Sequence, residues 1–322
     1  MGWVSSEALS FNGLILPSNQ TPLGALPARF RRERVLIVGC GDVGQRAARQ
    51  LPRALRVLAL TSSPERVPAL RALGLTPLCG NLDQRASLQR LAGLATRVLH
   101  LAPPPGEGRD DPRTRSLLRA LQLRGTPRAL VYGSTSGVYG DCQGALVDET
   151  QALAAITPRA QRRVDAEAAV RLLGRRQSRV RSSILRIPGI YAPDREGGTP
   201  EARLRKGTPV LERGDDVYTN HIHADDLARA CVLALWRGQP QRIYNVNDDS
   251  ALQMGDYFDF AADLYGLPRP PRVPRSAAQG QLSLMLLSFM SESRRLDNTR
   301  MKTELRLRLR YPTVETGLLS NK

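Results

Sequence analysis

Four apolar, mostly β-branched residues, Val35 to Val38, run without a polar break into a glycine-rich turn. A continuous apolar run of that length, closed by glycine, predicts a strand buried on both faces. Further short strands are predicted at residues 57–60, 77–80, 98–101, 129–132, 180–187 and 242–246. Between them lie longer stretches with helical spacing at 64–73, 83–94, 112–123, 158–173 and 225–236. Pro64 suits a first helical turn, and Pro103-Pro104-Pro105 stops the fourth strand. Alternation of this kind predicts an α/β chain with a doubly wound parallel sheet and helices on both faces. The alternation loosens after Pro188. Residues 254–265, 281–292 and 297–305 predict helices around the proline-rich stretch 268–274, and so a smaller, mostly helical C-terminal lobe.

The turn after the first strand reads Gly39-Cys40-Gly41-Asp42-Val43-Gly44, with a helical pattern behind it. Strand, G-x-G-x-x-G and helix together make a Rossmann-type dinucleotide site. One glycine serves the tight turn, one the approach of a pyrophosphate, one the packing of helix on strand. The helix N-terminus adds free N–H groups and partial positive charge. Thr61 ends the second strand where a carboxylate would meet the ribose of NAD. Ser62, Ser63 and Arg66 follow and suit a 2′-phosphate, so NADP is expected ahead of NAD.

Composition limits the alternatives. The net charge of +17 invites a polyanion, but only Lys206, Lys302 and Lys322 are lysines, and the arginines run along the whole length. Nucleic-acid binders concentrate their charge, and aromatic residues for base stacking are only 5% of the chain, so nucleic acid is not an expected partner. No run of 18 apolar residues is present, which argues against a membrane span. Cys40, Cys79, Cys142 and Cys231 are scattered, as in a reducing compartment, and a cytoplasmic location is expected. His100, His221 and His223 have no metal-ligand spacing. Residues 1–33, with Pro17, Pro22 and Pro27 and no period, predict a disordered extension without a secretory signal. The expected domains are 34–187, joined by 223–247, for NAD(P), and 188–222 with 248–322 for substrate.

Six motifs stand in a fixed order. They are the glycine turn, Leu99-His-Leu-Ala102, Ser134-Thr-Ser-Gly-Val-Tyr-Gly140, Ile184-Leu-Arg-Ile-Pro-Gly-Ile-Tyr191, and His221-Ile-His-Ala-Asp-Asp226 followed by Tyr244-Asn-Val246. From Arg34 onward the chain resembles the extended short-chain dehydrogenase/reductase family, the NAD(P)-dependent epimerases and dehydratases, and within it the atypical subgroup. The resemblance implies adenine contacts from Asn81 and Leu82, a cofactor lining from Leu101 and Ala102, and Pro188 near the nicotinamide. It places Thr135 where the family carries its catalytic Ser or Thr. The family's Tyr-x-x-x-Lys falls on Arg159 and Arg163, and its active-site asparagine on Asp110 or Asp111. Arginine keeps its proton and cannot act as the tyrosine does, although it can hold an anion. The arginine that commonly meets a substrate diphosphate is Thr219 here. Arg186 and Tyr191 are expected to border the cleft, and His223 and Asp226 to tie the lobes together. Tyr139 is read as structural. The implied function is an NAD(P)-dependent epimerase, dehydratase or reductase acting on a nucleotide sugar or another carbonyl or hydroxyl compound. A homodimer face on helix 158–173 is implied too. Loss of the Tyr-Lys pair equally fits a non-catalytic NAD(P)-binding sensor or scaffold.

Overall fold

A computed structural model describes residues 32–282 and 284–320. The predicted extension at 1–33 lies almost wholly outside the described residues. The central sheet has seven parallel strands: β1 (Arg34–Val38), β2 (Arg56–Thr61), β3 (Thr76–Cys79), β4 (Arg97–His100), β5 (Ala129–Thr135), β6 (Arg181–Ile187) and β7 (Arg242–Asn245). Their order is β7-β6-β5-β4-β1-β2-β3, so the order turns between β1 and β4. Val35 pairs with Val57 on one side and Arg97 on the other.

Alternate residues of β1 feed two cores. Val35 and Ile37 join one cluster, and Leu36 and Val38 the other. Both faces are dry, which is why the strand shows no polar alternation. Helices α1 (Asp42–Gln50) and α6 (Ala224–Arg237) cover the first face. Helices α3 (Pro112–Gln122) and α4 (Pro158–Arg176) cover the second. The predicted helix at 83–94 is shorter than expected. It is one turn, Arg85–Leu88, followed by a 3-10 turn that ends before Gly93, whose φ is +70°.

A third cluster gathers Tyr191, Leu204, Val210, Tyr257, Phe258 and Val314. Its helices include α5 (Glu201–Arg205) and α7 (Met254–Tyr265), the latter ended by Gly266 in the left-handed region. This part is less helical than predicted. Gly189–Tyr191 pairs with His221–His223, Val210–Leu211 with Arg272–Val273, and Tyr218–Thr219 with Leu252–Gln253. The single helix expected at 281–292 is instead two short ones, Arg275–Gln281 and Leu284–Phe289. A further difference concerns residues 301–307. Met301, Leu305 and Leu307 pack in the first-face core with Val35 and Ile37, not with the third cluster. No described helix is long and apolar enough to cross a membrane. All four cysteines are unpaired.

Candidate active site

The crevice beyond the C-terminal ends of β1 and β4, where strand order turns, is where doubly wound sheets bind ligands. The glycine turn lies there, and packing requires two of its three glycines. Gly39 has φ of +85°, and a Cβ on it would overlap the backbone N and Cα of Ala102. That close approach is fixed by the N–H groups of Leu101 and Ala102, which donate to the Val38 carbonyl at 2.7 and 3.0 Å. Gly44 packs α1 against β1, since its Cβ would stand 3.0 Å from the Gly39 carbonyl oxygen and 3.2 Å from Ile37 Cγ2. Gly41 is different: it precedes α1 without a side-chain cap, and a Cβ there would meet nothing within 4 Å. An open backbone face at the start of a nine-residue helix suits a pyrophosphate.

The neighbours of this turn are held firmly. Val43 packs on the first-face core. Asp42 accepts from Arg46 Nε at 2.9 Å. Arg46 is buried and also donates to Asp194 and Asp225, both at 2.7 Å, so one guanidinium joins α1 to α6 and to the loop after β6. At the end of β2, the Thr61 hydroxyl and the backbone of Ser63 bond to each other at 3.2 Å, leaving Ser62 exposed. Arg66 reaches back to the Cys40 carbonyl at 2.6 Å, beside the glycine turn. Asn81 opens the next turn by accepting from Asp83 N at 2.9 Å, while Leu82 packs on the second-face core. The cradle thus carries no carboxylate at the tip of β2 and a guanidinium close by, a donor set that fits NAD(P).

A cleft of about 560 Å³ opens next to the end of β5. Thr135, Arg159, Pro188, Tyr191 and His221 are among the residues that line it. Thr135 Oγ1 accepts from Gly137 N at 3.3 Å, so a 3-10 turn fixes the hydroxyl. Arg159 remains water-accessible, yet the protein around it desolvates the guanidinium and depresses its pKa, with Arg163 and Arg162 adding repulsion. Burial holds the His221 ring neutral, its pKa pushed down to about 4.

Four expected participants are placed elsewhere. Arg163 donates to the Gly133 carbonyl at 2.7 Å and the Tyr132 hydroxyl at 3.1 Å, one helical turn away from Arg159. Asp111 is 1% exposed and caps α3, accepting from Thr114 N at 3.0 Å and Thr114 Oγ1 at 2.7 Å. Asp110 pairs with Arg115 at 2.9 Å on the surface. Neither aspartate lines the cleft that holds Thr135. Arg186 does not border the cleft either. It is 2% exposed and lies on Glu167 of α4 at 2.8 Å, because a buried guanidinium needs a counter-charge. Tyr139 donates to Asn245 Oδ1 at 2.7 Å, a structural tie to β7.

The cleft also contains residues that the sequence did not single out: Arg195, Arg203, Glu292 and Arg294. Glu292 is the only carboxylate among the described residues that line it. Its Oε2 stands 4.0 Å from where a Cβ on Gly137 would be, beside the Thr135 turn, and pairs with Arg294 at 2.9 Å. In a chain with 47 basic residues, one more arginine carries no sequence signal, and Glu292 follows an apolar stretch without any motif. No group of His, Cys, Asp and Glu among the described residues could hold a metal ion.

Strand order, glycine cradle and cleft define a dinucleotide-fold protein of the extended short-chain dehydrogenase/reductase type. Residues 35–247 match the NAD dependent epimerase/dehydratase family, and the chain belongs to it. A functionally unknown conserved protein from Silicibacter pomeroyi is 32% identical, with a TM-score of 0.74 over 88% of this chain and 96% of that one. The UDP-glucose 4-epimerase of Thermotoga maritima, solved with UDP-glucose, shares the fold at 18% identity and a TM-score of 0.72, over 88% of this chain and 96% of that one. The dTDP-glucose 4,6-dehydratase of Streptomyces venezuelae, solved with NAD, does so at 21% and 0.70, over 88% and 94%. An uncharacterized protein of Mycobacterium tuberculosis is 26% identical over 211 residues, 62% of this chain. The chain spans about half the length of that curated relative, 55%.

Proposed function

We propose that this chain binds NAD(P) at Gly39–Gly44 and Leu101–Ala102 and performs hydride exchange on a small carbonyl or hydroxyl compound. The supporting observation is the steric contrast between the three glycines. Two are forced by protein packing, and the third, Gly41, faces open space at a helix N-terminus. Bound nicotinamide supplies the hydride chemistry. Residues 188–222 and 248–322 contribute the substrate side, with the cleft lining reaching Arg294. Thr135 holds the substrate oxygen through its fixed hydroxyl, and Glu292 takes or returns that oxygen's proton in place of the family tyrosine. The lack of a carboxylate at Thr61, with Arg66 nearby, favours NADP over NAD.

The test is isothermal titration of the full chain with NADP and with NAD, for wild type and Gly41→Ala. Gly41 has φ of −81°, which alanine adopts freely, and open space around it. Gly41→Ala therefore folds at a cost of up to about 1 kcal/mol and loses dinucleotide binding. Failure of the wild type to bind either dinucleotide overturns the reading. Arginine at both 159 and 163 favours a second reading, a non-catalytic NAD(P)-binding sensor. Binding without hydride exchange on a panel of sugar nucleotides and hydroxy acids supports that one. Exchange lost in Thr135→Ala and in Glu292→Gln supports catalysis.

A further inference from the structure

The cleft is lined by more cationic than anionic side chains. Four arginines line it, Arg159, Arg195, Arg203 and Arg294, against the single carboxylate of Glu292. That carboxylate is taken by Arg294. Arg203, on α5, has no ion-pair partner among the described residues, and its Nε and Nη2 are buried without a hydrogen-bond acceptor. Its guanidinium lies over the Phe258 ring at 4.3 Å, so an apolar face backs it and fixes its plane. Arg195, on the next stretch of wall, differs: its Nη1 is buried and unpartnered, but its Nε is in ion-pair reach of Asp42 at 3.9 Å. Desolvation depresses the pKa of Arg203. A desolvated cation with unmet donors is costly unless something supplies the counter-charge.

We propose that Arg203 is the anchor of an oxyanion subsite in this cleft, seating the carboxylate or phosphate of an organic acid substrate. The inference deepens the proposed function and rests on the cleft being its substrate site. The guanidinium offers a planar fork to a planar or tetrahedral oxyanion, and its missing partners are on the protein side of that match. The position also differs from the one where the family commonly meets a diphosphate, which is Thr219 in this chain.

The experiment is thermal unfolding of the full chain with inorganic phosphate or with succinate, at matched ionic strength. Wild type, Arg203→Met and Arg205→Gln are compared. Arg205 lies on the same helix, exposed, and pairs with Glu201 at 2.7 Å, so Arg205→Gln removes an equal charge outside the cleft. An anion that binds only the folded chain raises its melting temperature. The expected result is a rise of several degrees in wild type and Arg205→Gln and none in Arg203→Met. Without anion, Arg203→Met melts at or above wild type, because a half-buried cation without a counter-charge is gone. A larger shift with succinate assigns a carboxylate, and one with phosphate assigns a phosphate group. A shift that survives in Arg203→Met, or no shift in wild type with either anion, overturns the proposal. Should Arg203→Met fail to fold, Arg203→Lys keeps the charge without the fork. Its anion affinity falls about ten-fold if the subsite is real and is unchanged if it is not. Dinucleotide titration on the same preparation tells failure of the subsite from failure of the proposed function.

Discussion

At the scale of single residues, burial decides what a polar side chain does. Asp111 and Glu292 are both carboxylates near the C-terminal edge of the sheet, but one is a sealed helix cap and the other lines a cleft. Asp248 shows the energetic side. It is 1% exposed, one carboxylate oxygen has no hydrogen-bond partner, and burial pushes its pKa up to about 8. The folded chain therefore retains a proton that the unfolded chain releases near pH 4. That contribution is fully present below about pH 4 and is lost as the pH rises through about 8. Asp248→Asn is expected to raise stability at about pH 9 by on the order of a few kcal/mol and to give no gain at about pH 4. Urea unfolding across that range checks it, and a parallel pH profile in wild type and variant contradicts it.

Elements are placed by pairs that no local pattern reveals. Helix α4 was legible from its helical spacing at 158–173, and Thr157 caps it, accepting from Ala160 N at 3.2 Å. Its orientation on the sheet depends on Glu167, which takes Arg186 of β6 at 2.8 Å and Ser134 of β5 at 2.6 Å. On the same helix, Arg159 lines the cleft and Arg163 donates to the Gly133 carbonyl. Glu167→Ala leaves Arg186 buried without its counter-charge, so it is expected to cost about 3–5 kcal/mol in urea unfolding. Glu167→Met with Arg186→Met is expected to recover most of that loss. If the double variant is no better than the single, the helix is held by something other than this pair. The central strand β1 was legible because it is apolar on both faces, Val35 and Ile37 feeding one core and Leu36 and Val38 the other. The helix at 83–94 was overread because its apolar residues keep helical spacing across Gly93, whose left-handed backbone ends it.

Across the whole molecule, the C-terminal segment closes on the dinucleotide half. Asp226, fully buried at the start of α6, accepts from the backbone N–H groups of Arg310 and Tyr311 at 2.9 Å each and from Arg229 at 2.7 Å. Nearby, Arg237 holds the Leu305 carbonyl at 2.9 Å. Asp226→Ala orphans those donors and is expected to cost about 3 kcal/mol or more. Faster hydrogen exchange at Arg310 and Tyr311, with β1 still protected, is the expected signature. Equal protection in wild type and variant would show that apolar packing alone holds the segment. The sequence signal was the pair of aspartates after His223, whose side chain caps α6 by accepting from Asp225 N at 3.2 Å. The partner segment, some eighty residues on, had no signal.

What the sequence determined by itself was the order of strands and helices, the glycine cradle and the family. Those features are written in local residue order: apolar runs, glycines at fixed spacing, motifs in sequence. The tertiary structure decided which charged residues face the cleft. Arg203 and Glu292 are 89 positions apart and meet one cavity only because α5 and the chain after residue 290 converge on Thr135. Burial and counter-charge are properties of that convergence. They separate Arg203, unpartnered in the cleft, from the exposed and paired Arg205 two positions along the same helix.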